Sequence, residues 1–223
     1  MRTSGRTDGG ETPHEPPMAA LRSGLRFVFS TPLMVWTMGL DFVATFFSGA
    51  MSLLPIVADQ VLRVGPAGYG ALAAAPAVGA LVGSIHTSVF PLPRRQGVVL
   101  LWSVAAYGAA TIVYGISRSF ALTFLALAGT GLADVVSTVI RQTLRQLLTP
   151  DALRGRMTAV NMIFFLGGPQ LGELEAGVVA SLFASAAIGV TVSVVSGGIV
   201  TVLAAIAIAA ATPLVRGYAP DPG

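Results

Sequence analysis

Six nearly uncharged apolar runs, each 21 to 29 residues long, fill most of the chain between residues 31 and 215. They fall at residues 31–58, 67–90, 97–117, 120–147, 158–183 and 187–215. An α-helix rises about 1.5 Å per residue, so roughly 20 residues cross the hydrocarbon core of a bilayer. No water in that core can satisfy backbone N–H and C=O groups, so each run is expected to be helical despite its valines and glycines. Charged residues make up 10% of the 223, against about 25% in an ordinary soluble domain. Mean hydropathy is +0.78. The expected fold class is an all-α membrane protein with six transmembrane helices.

The formal charge of +3 does not indicate a nucleic-acid partner, because the basic residues sit between apolar runs and form no continuous patch. All 13 basic residues other than histidine are arginine, and with the Ala, Gly and Val content this points to a GC-rich bacterial genome. Cysteine is absent, which excludes disulfides and thiolate chemistry. Residues 1–22 are polar and rich in Gly and Pro, without the apolar core of a signal peptide, and are expected to be a disordered cytoplasmic tail or linker. Residues 23–216 then form the membrane domain and 217–223 a short cytoplasmic C-terminal tail. With both termini inside, the inner loops and helix ends hold Arg22, Arg26, Arg94, Arg95, Arg141, Arg145, Arg154, Arg156 and Arg216. The outer loops hold Arg63 and Arg118. Nine against two is the asymmetry expected of a multi-pass inner-membrane protein in that orientation.

Small residues mark where helices approach one another. Gly79-x-x-x-Gly83 and Gly168-x-x-x-Gly172 fit the close-packing spacing, and Gly177-x-x-x-Ser181 extends the second. Gly167, Gly168 and Pro169 are candidates for a helix bend, since proline removes a backbone donor after two permissive residues. Thr149-Pro150-Asp151 carries the marks of a helix start: an N-cap side chain, a proline at the first position and an acid for the dipole.

Residues 141–177, RQTLRQLLTPDALRGRMTAVNMIFFLGGPQLGELEAG, resemble the stretch joining the tenth and eleventh helices of the major facilitator superfamily, in its enterobactin-exporter-like branch. The run from Gly79 to Ser84, followed by Pro93-Arg94-Arg95, resembles the degenerate loop motif between helices eight and nine, without the acidic residue of the complete motif. LRSGLRFVFSTPLMVW resembles the end of the central loop leading into helix seven. The resemblance covers roughly residues 21–216. It implies one half of the twelve-helix fold, built as an inverted repeat of three plus three helices, with the substrate site between two such halves. It further implies drug or siderophore efflux by alternating access, driven by an ion gradient without a cofactor. The partners implied are the lipid bilayer, a small hydrophobic or amphipathic substrate, and a second six-helix half, either a separate chain or another copy of this one.

Ionisable groups at membrane depth cost about 2.5–3.5 kcal/mol each on insertion scales, so each invites a role. Asp41 lies about ten residues into the first run, where the resemblance puts a cavity-lining helix. It either exchanges protons or makes a structural hydrogen bond. Asp134 is two turns from Arg141 on nearly the same face and is expected to pair there or with a neighbouring helix. Glu173 and Glu175 are two residues apart, so they point to opposite sides of one helix and at most one faces the cavity. Arg94 and Arg95 are expected to anchor their loop on lipid phosphates, and they join Arg141, Arg154 and Arg156 as cytoplasmic loop or gating candidates. His86 is expected at the interface. Phe42, Phe46 and Phe47 either pack among helices and lipid or form an aromatic wall for an apolar substrate.

An intramembrane protease would need a serine in a GxSG-like turn and a later histidine, but Ser48-Gly49 lacks the preceding glycine and no histidine follows His86. No HExxH pair offers a metal site. The expected function is transport rather than catalysis. The alternative is a non-transporting membrane subunit or the inactive fragment of a truncated transporter gene.

Overall fold

The computed structural model describes residues 17–47, 50–90 and 93–218. The expected tail up to residue 16, the Ser48-Gly49 pair and the chain after residue 218 lie outside the described residues. Helix α1 (Pro17–Ser30) is followed by α2 (Pro32–Phe47). An irregular passage comes next: a 3-10 turn (Ala50–Leu53), the single turn α3 (Leu54–Ile56) and a π-turn (Val57–Val61). Then come α4 (Gly65–Val89), α5 (Gln96–Ile116), α6 (Phe120–Leu148), α7 (Arg154–Ser181), α8 (Ala186–Ala211) and the short α9 (Pro213–Arg216).

Five of these segments are long and apolar enough to cross a membrane: Pro32–Val61, Gly65–Val89, Gln96–Ile116, Phe120–Leu148 and Ala186–Ala211. The sixth expected span corresponds to α7. Its 28 residues reach about 42 Å, but Arg154, Arg156, Glu173 and Glu175 keep it less apolar than the other five. Large apolar side chains turn outward all round the bundle, among them Trp102, Leu125, Phe165 and Leu203. Such a surface is stable in lipid and not in water.

Helix packing follows an internal exchange. Swapping α2 with α6, α4 with α7 and α5 with α8 carries the α4–α6 contact onto α7–α2 and the α5–α6 contact onto α8–α2, and returns α5–α8 to itself. The α7–α8 and α2–α5 contacts lack a comparable counterpart among the described helices, and α1 and α9 stand outside the exchange. The exchanged helices share a local device. Both α4 and α7 contain Pro-x-x-Gly, as Pro76 to Gly79 and Pro169 to Gly172, and both helices continue through the proline. Gly79 abuts the Ala128 carbonyl of α6, and Gly172 abuts the Phe46 carbonyl of α2. These relations are those of an inverted three-plus-three repeat.

Several local expectations change. Residues 17–22 are helical rather than tail, because Leu21, Leu25 and Val28 recur at helical spacing and join the cluster of Met34, Met157 and Val160. The first run is not one regular helix: from Ala50 it passes through a 3-10 turn, a single α-turn and a π-turn, and Pro55 within that passage supplies no N–H to a regular ladder. The Thr149 hydroxyl does not cap forward. It donates back to the Arg145 carbonyl at 2.6 Å and closes α6, and the next turn, Asp151–Leu153, has no side-chain cap. Gly167, Gly168 and Pro169 lie inside α7, which continues through them. An added Cβ at Gly177 would meet nothing within 4 Å, so it is not a packing glycine, unlike Gly83 against Leu132 and Gly168 against Thr45.

Arginines concentrate at one end of the bundle. The α6–α7 connection packs with α1 there, and α9 packs on the start of α5, where Gly97 N–H donates to the Tyr218 carbonyl at 3.1 Å. Arg154 pairs with Asp151 at 2.8 Å, but both side chains are largely exposed. Exposed pairs contribute about 0–1 kcal/mol, so Asp151→Asn is expected to shift the unfolding free energy by less than about 0.5 kcal/mol in a detergent melt.

Candidate functional site

The site is built on the two helices that the internal exchange relates, α2 and α6. On α2, Leu40 and Ala44 are buried and flank Asp41, while the Thr45 hydroxyl donates to the Asp41 backbone carbonyl at 2.9 Å. On α6, residues 134, 138, 141 and 145 recur at intervals of four, three and four and share one face. That face brings Arg141 to Asp41: Nη1 lies 2.5 Å from Oδ1. Nη2 of the same guanidinium lies 3.8 Å from Asp134 Oδ1 and donates to Thr138 Oγ1 at 2.9 Å. One cation therefore stands between two carboxylates on different three-helix repeats.

The Arg141 side chain is 13% exposed, Asp41 27% and Asp134 52%. The gradient decides the roles: Arg141 and Asp41 form the enclosed pair, and Asp134 sits at the open side. Tyr107 from α5, Ala133 and Ser137 line the same small cavity. Ser137 is buried and its Oγ has no hydrogen-bond partner.

One turn further along α6, Arg145 donates to Asn161 of α7 and to Gln142 Oε1 at 2.5 Å. Two arginines four residues apart repel, and Arg145 is held off Arg141 by these neutral acceptors. A second small cavity, lined by Met34, Thr37, Met38, Asp41, Arg141, Leu144, Arg145 and Asn161, joins the two groups. Three helices, α2, α6 and α7, are thus tied together by polar contacts within otherwise apolar surroundings.

The expected residues divide clearly. Asp41, Asp134 and Arg141 come together. Arg141 belongs inside the bundle and not to the cytoplasmic loop set, because its guanidinium reaches back along α6 to the carboxylates. Glu173 is exposed and Glu175 half-buried on α7, and neither joins this cluster. Arg94 and Arg95 are exposed before α5, and Arg156 is half-buried, its carbonyl 3.1 Å from where a Cβ on Gly24 would stand. His86 is exposed and faces Phe90 with ring centroids 5.1 Å apart. Phe42 stacks on Phe46 at 5.5 Å and meets Phe164 edge-on at 6.3 Å; Phe46 meets Phe47 at 4.9 Å. Among the described residues no cluster of His, Cys, Asp and Glu is arranged to hold a metal ion.

Sequence inspection passed over Tyr107, Ser137, Thr138 and the Arg145–Asn161 contact. The spacing of residues 134, 138, 141 and 145 was the available signal for the α6 members. Nothing local in the sequence marks Tyr107 or Asn161, which arrive from other helices.

The family model described as transmembrane secretion effector, of the major facilitator type, matches residues 2–220. The enterobactin exporter EntS of Escherichia coli O81 (strain ED1a) is 29% identical over 148 residues, covering 66% of this chain and 35% of the relative. The same figures hold for the enterobactin exporter EntS of Shigella boydii serotype 18 (strain CDC 3083-94 / BS512). The chain thus matches about a third of the length of these curated relatives. No solved structure matches.

Proposed function

This chain belongs to the transmembrane secretion effector family of the major facilitator superfamily, and from that premise we propose that it forms one six-helix half of a proton-coupled exporter of small molecules. Transmembrane transport follows from the family. Coupling to protons is supported by one observation above the others, the Asp41–Arg141–Asp134 cluster. A carboxylate enclosed with a cation at membrane depth binds a proton only when the cation withdraws, so protonation and helix arrangement are linked. The pair joins α2 to α6, the first helix of each repeat. Proton arrival at Asp41 frees Arg141 to move toward Asp134, and the repeats loosen at that seam.

Alternating access requires a second half for these helices to rock against. Glu173, exposed among Leu171, Leu174 and Val178 on α7, supports such a mate, because a carboxylate facing lipid is costly. The mate is a second six-helix unit, in a separate chain or a second copy. Both termini are assigned to the cytoplasmic side of a bacterial inner membrane, on the concentration of arginines at one end of the bundle. The substrate class is a siderophore-like or drug-like small molecule.

The test is reconstitution. The chain is placed in liposomes alone and with a candidate second six-helix unit, and a pH gradient is imposed with enterobactin or ethidium as the probe. The expected result is gradient-dependent probe movement, abolished by a protonophore, only when a complete two-half assembly is present. Movement unaffected by the gradient would refute proton coupling. No movement with any mate, the chain remaining monomeric after cross-linking, would leave a non-transporting subunit or fragment.

A further inference from the structure

A second site lies away from the Asp41 cluster, where α1 crosses the arginine-rich end of α2 and α7. One face of α1 is buried: Gly24 sits against the Arg156 carbonyl and Val160, and Val28 joins the cluster with Met34 and Met157. The opposite face carries Arg22, Arg26 and Phe29, all exposed. Arg22 and Arg26 are one turn apart, about 5–6 Å between Cβ atoms, so both guanidinium groups can reach one anion. No acidic partner is present for either among the described residues.

Beside them runs an open groove between α1, α2 and α7, of about 170 Å³, smaller than the roughly 300–1,000 Å³ of a cleft for a drug-sized ligand and suited to one extended chain. Its walls include Leu25, Val35, Met38, Phe42 and Phe164, and no lining side chain is polar. Leu25 also lines the cleft that holds Arg22 and Arg26, so the basic and apolar parts are continuous.

We infer that this composite groove binds one anionic phospholipid, with the headgroup phosphate on Arg22 and Arg26 and one acyl chain along α2 toward Phe42 and Phe164. Charge complementarity selects the headgroup. The apolar walls select the chain, which neither a soluble phosphate nor an acidic peptide possesses. The bound lipid fastens the amphipathic α1 against the membrane face and fills the cleft between α2 and α7. This inference does not depend on which substrate is carried or on proton coupling.

The experiment uses the full chain in mild detergent, with phosphatidylglycerol or phosphatidylcholine added back and lipid retention read by native mass spectrometry alongside the melting temperature. Phosphatidylglycerol is expected to be retained and to raise the melting temperature more than phosphatidylcholine does. Arg22→Gln and Arg26→Gln are each expected to weaken its retention about fivefold, whereas Arg63→Gln, in the loop before α4, leaves retention unchanged. Gly39 supplies an arm independent of charge. A Cβ there meets nothing within 4 Å and it lines the groove, so Gly39→Phe fills the groove without displacing backbone. That variant is expected to lose phosphatidylglycerol while melting normally in detergent. Glycerol phosphate, which has no chain, is expected not to compete. The inference is overturned if both lipids are retained equally, if Arg22→Gln with Arg26→Gln or Gly39→Phe retains phosphatidylglycerol at the wild-type level, if glycerol phosphate displaces it, or if a co-purified second six-helix unit expels it.

Discussion

Replacing Arg141 with methionine is expected to destabilise the helical bundle more than replacing its partner Asp41 with asparagine. Losing the guanidinium leaves Asp41 and Asp134 facing one another with no cation between them. Losing the Asp41 charge leaves Arg141 with Asp134 at 3.8 Å as a standby. Breaking a fully buried ion pair costs about 3–5 kcal/mol and an exposed one about 0–1. With Arg141 at 13% and Asp41 at 27% exposure, the arginine change is expected near ~3 kcal/mol and the aspartate change nearer ~1–2. The double variant avoids the facing carboxylates that Arg141→Met leaves, so it is expected to be more stable than the sum of the singles by about 1–3 kcal/mol. Thermal melts of the four proteins in one detergent measure the cycle. Simple additivity would show that the pair does not interact. In an active two-half assembly, Asp41→Asn is also expected to abolish efflux driven by the pH gradient; full proton-coupled efflux in that variant would remove Asp41 from the mechanism.

The bilayer made the helices legible and hid their partners. Every membrane span must satisfy its own backbone, so length and apolarity locate helices from sequence. Side-chain partners across the bundle carry no such local signature. Asp41 and Asp134 stand out because charge is rare in these runs, and spacing along α6 couples Asp134 to Arg141, yet no local signal ties Arg141 to Asp41, 100 residues before it. Its length lets it reach back along α6, which a count of loop charges does not register. Pro55 marks the irregular passage in the first run, which hydropathy alone does not register. In α1, polar composition masked a helical period that only packing against Met157 and Val160 makes stable. The internal repeat is written in the chain as Pro76-x-x-Gly79 and Pro169-x-x-Gly172.

That repeated device sets the second large effect. Gly79 and Gly131 bring α4 and α6 into backbone contact: a Cβ on Gly79 would overlap the Ala128 carbonyl, and one on Gly131 the Pro76 carbonyl. Neither obstacle is a flexible side-chain end, so the helices can only part. Overpacking costs about 1–3 kcal/mol where side chains can shift, and Gly79→Val or Gly131→Val is expected at or above the top of that range because backbone must move. Parting α4 from α6 also exposes the contacts of Leu72 and Leu127, which are buried in the same cluster. Gly177 is the control. A Cβ there meets nothing within 4 Å, so Gly177→Ala is expected to be neutral or stabilising by up to about 1 kcal/mol through helix propensity. Melting temperatures in detergent and the yield of monodisperse protein separate the two classes. Equal melting of Gly79→Val and Gly177→Ala would mean that α4 and α6 do not touch at these glycines. The same comparison at Gly172, against Phe46 of α2, tests whether the second repeat is closed by the same contact as the first.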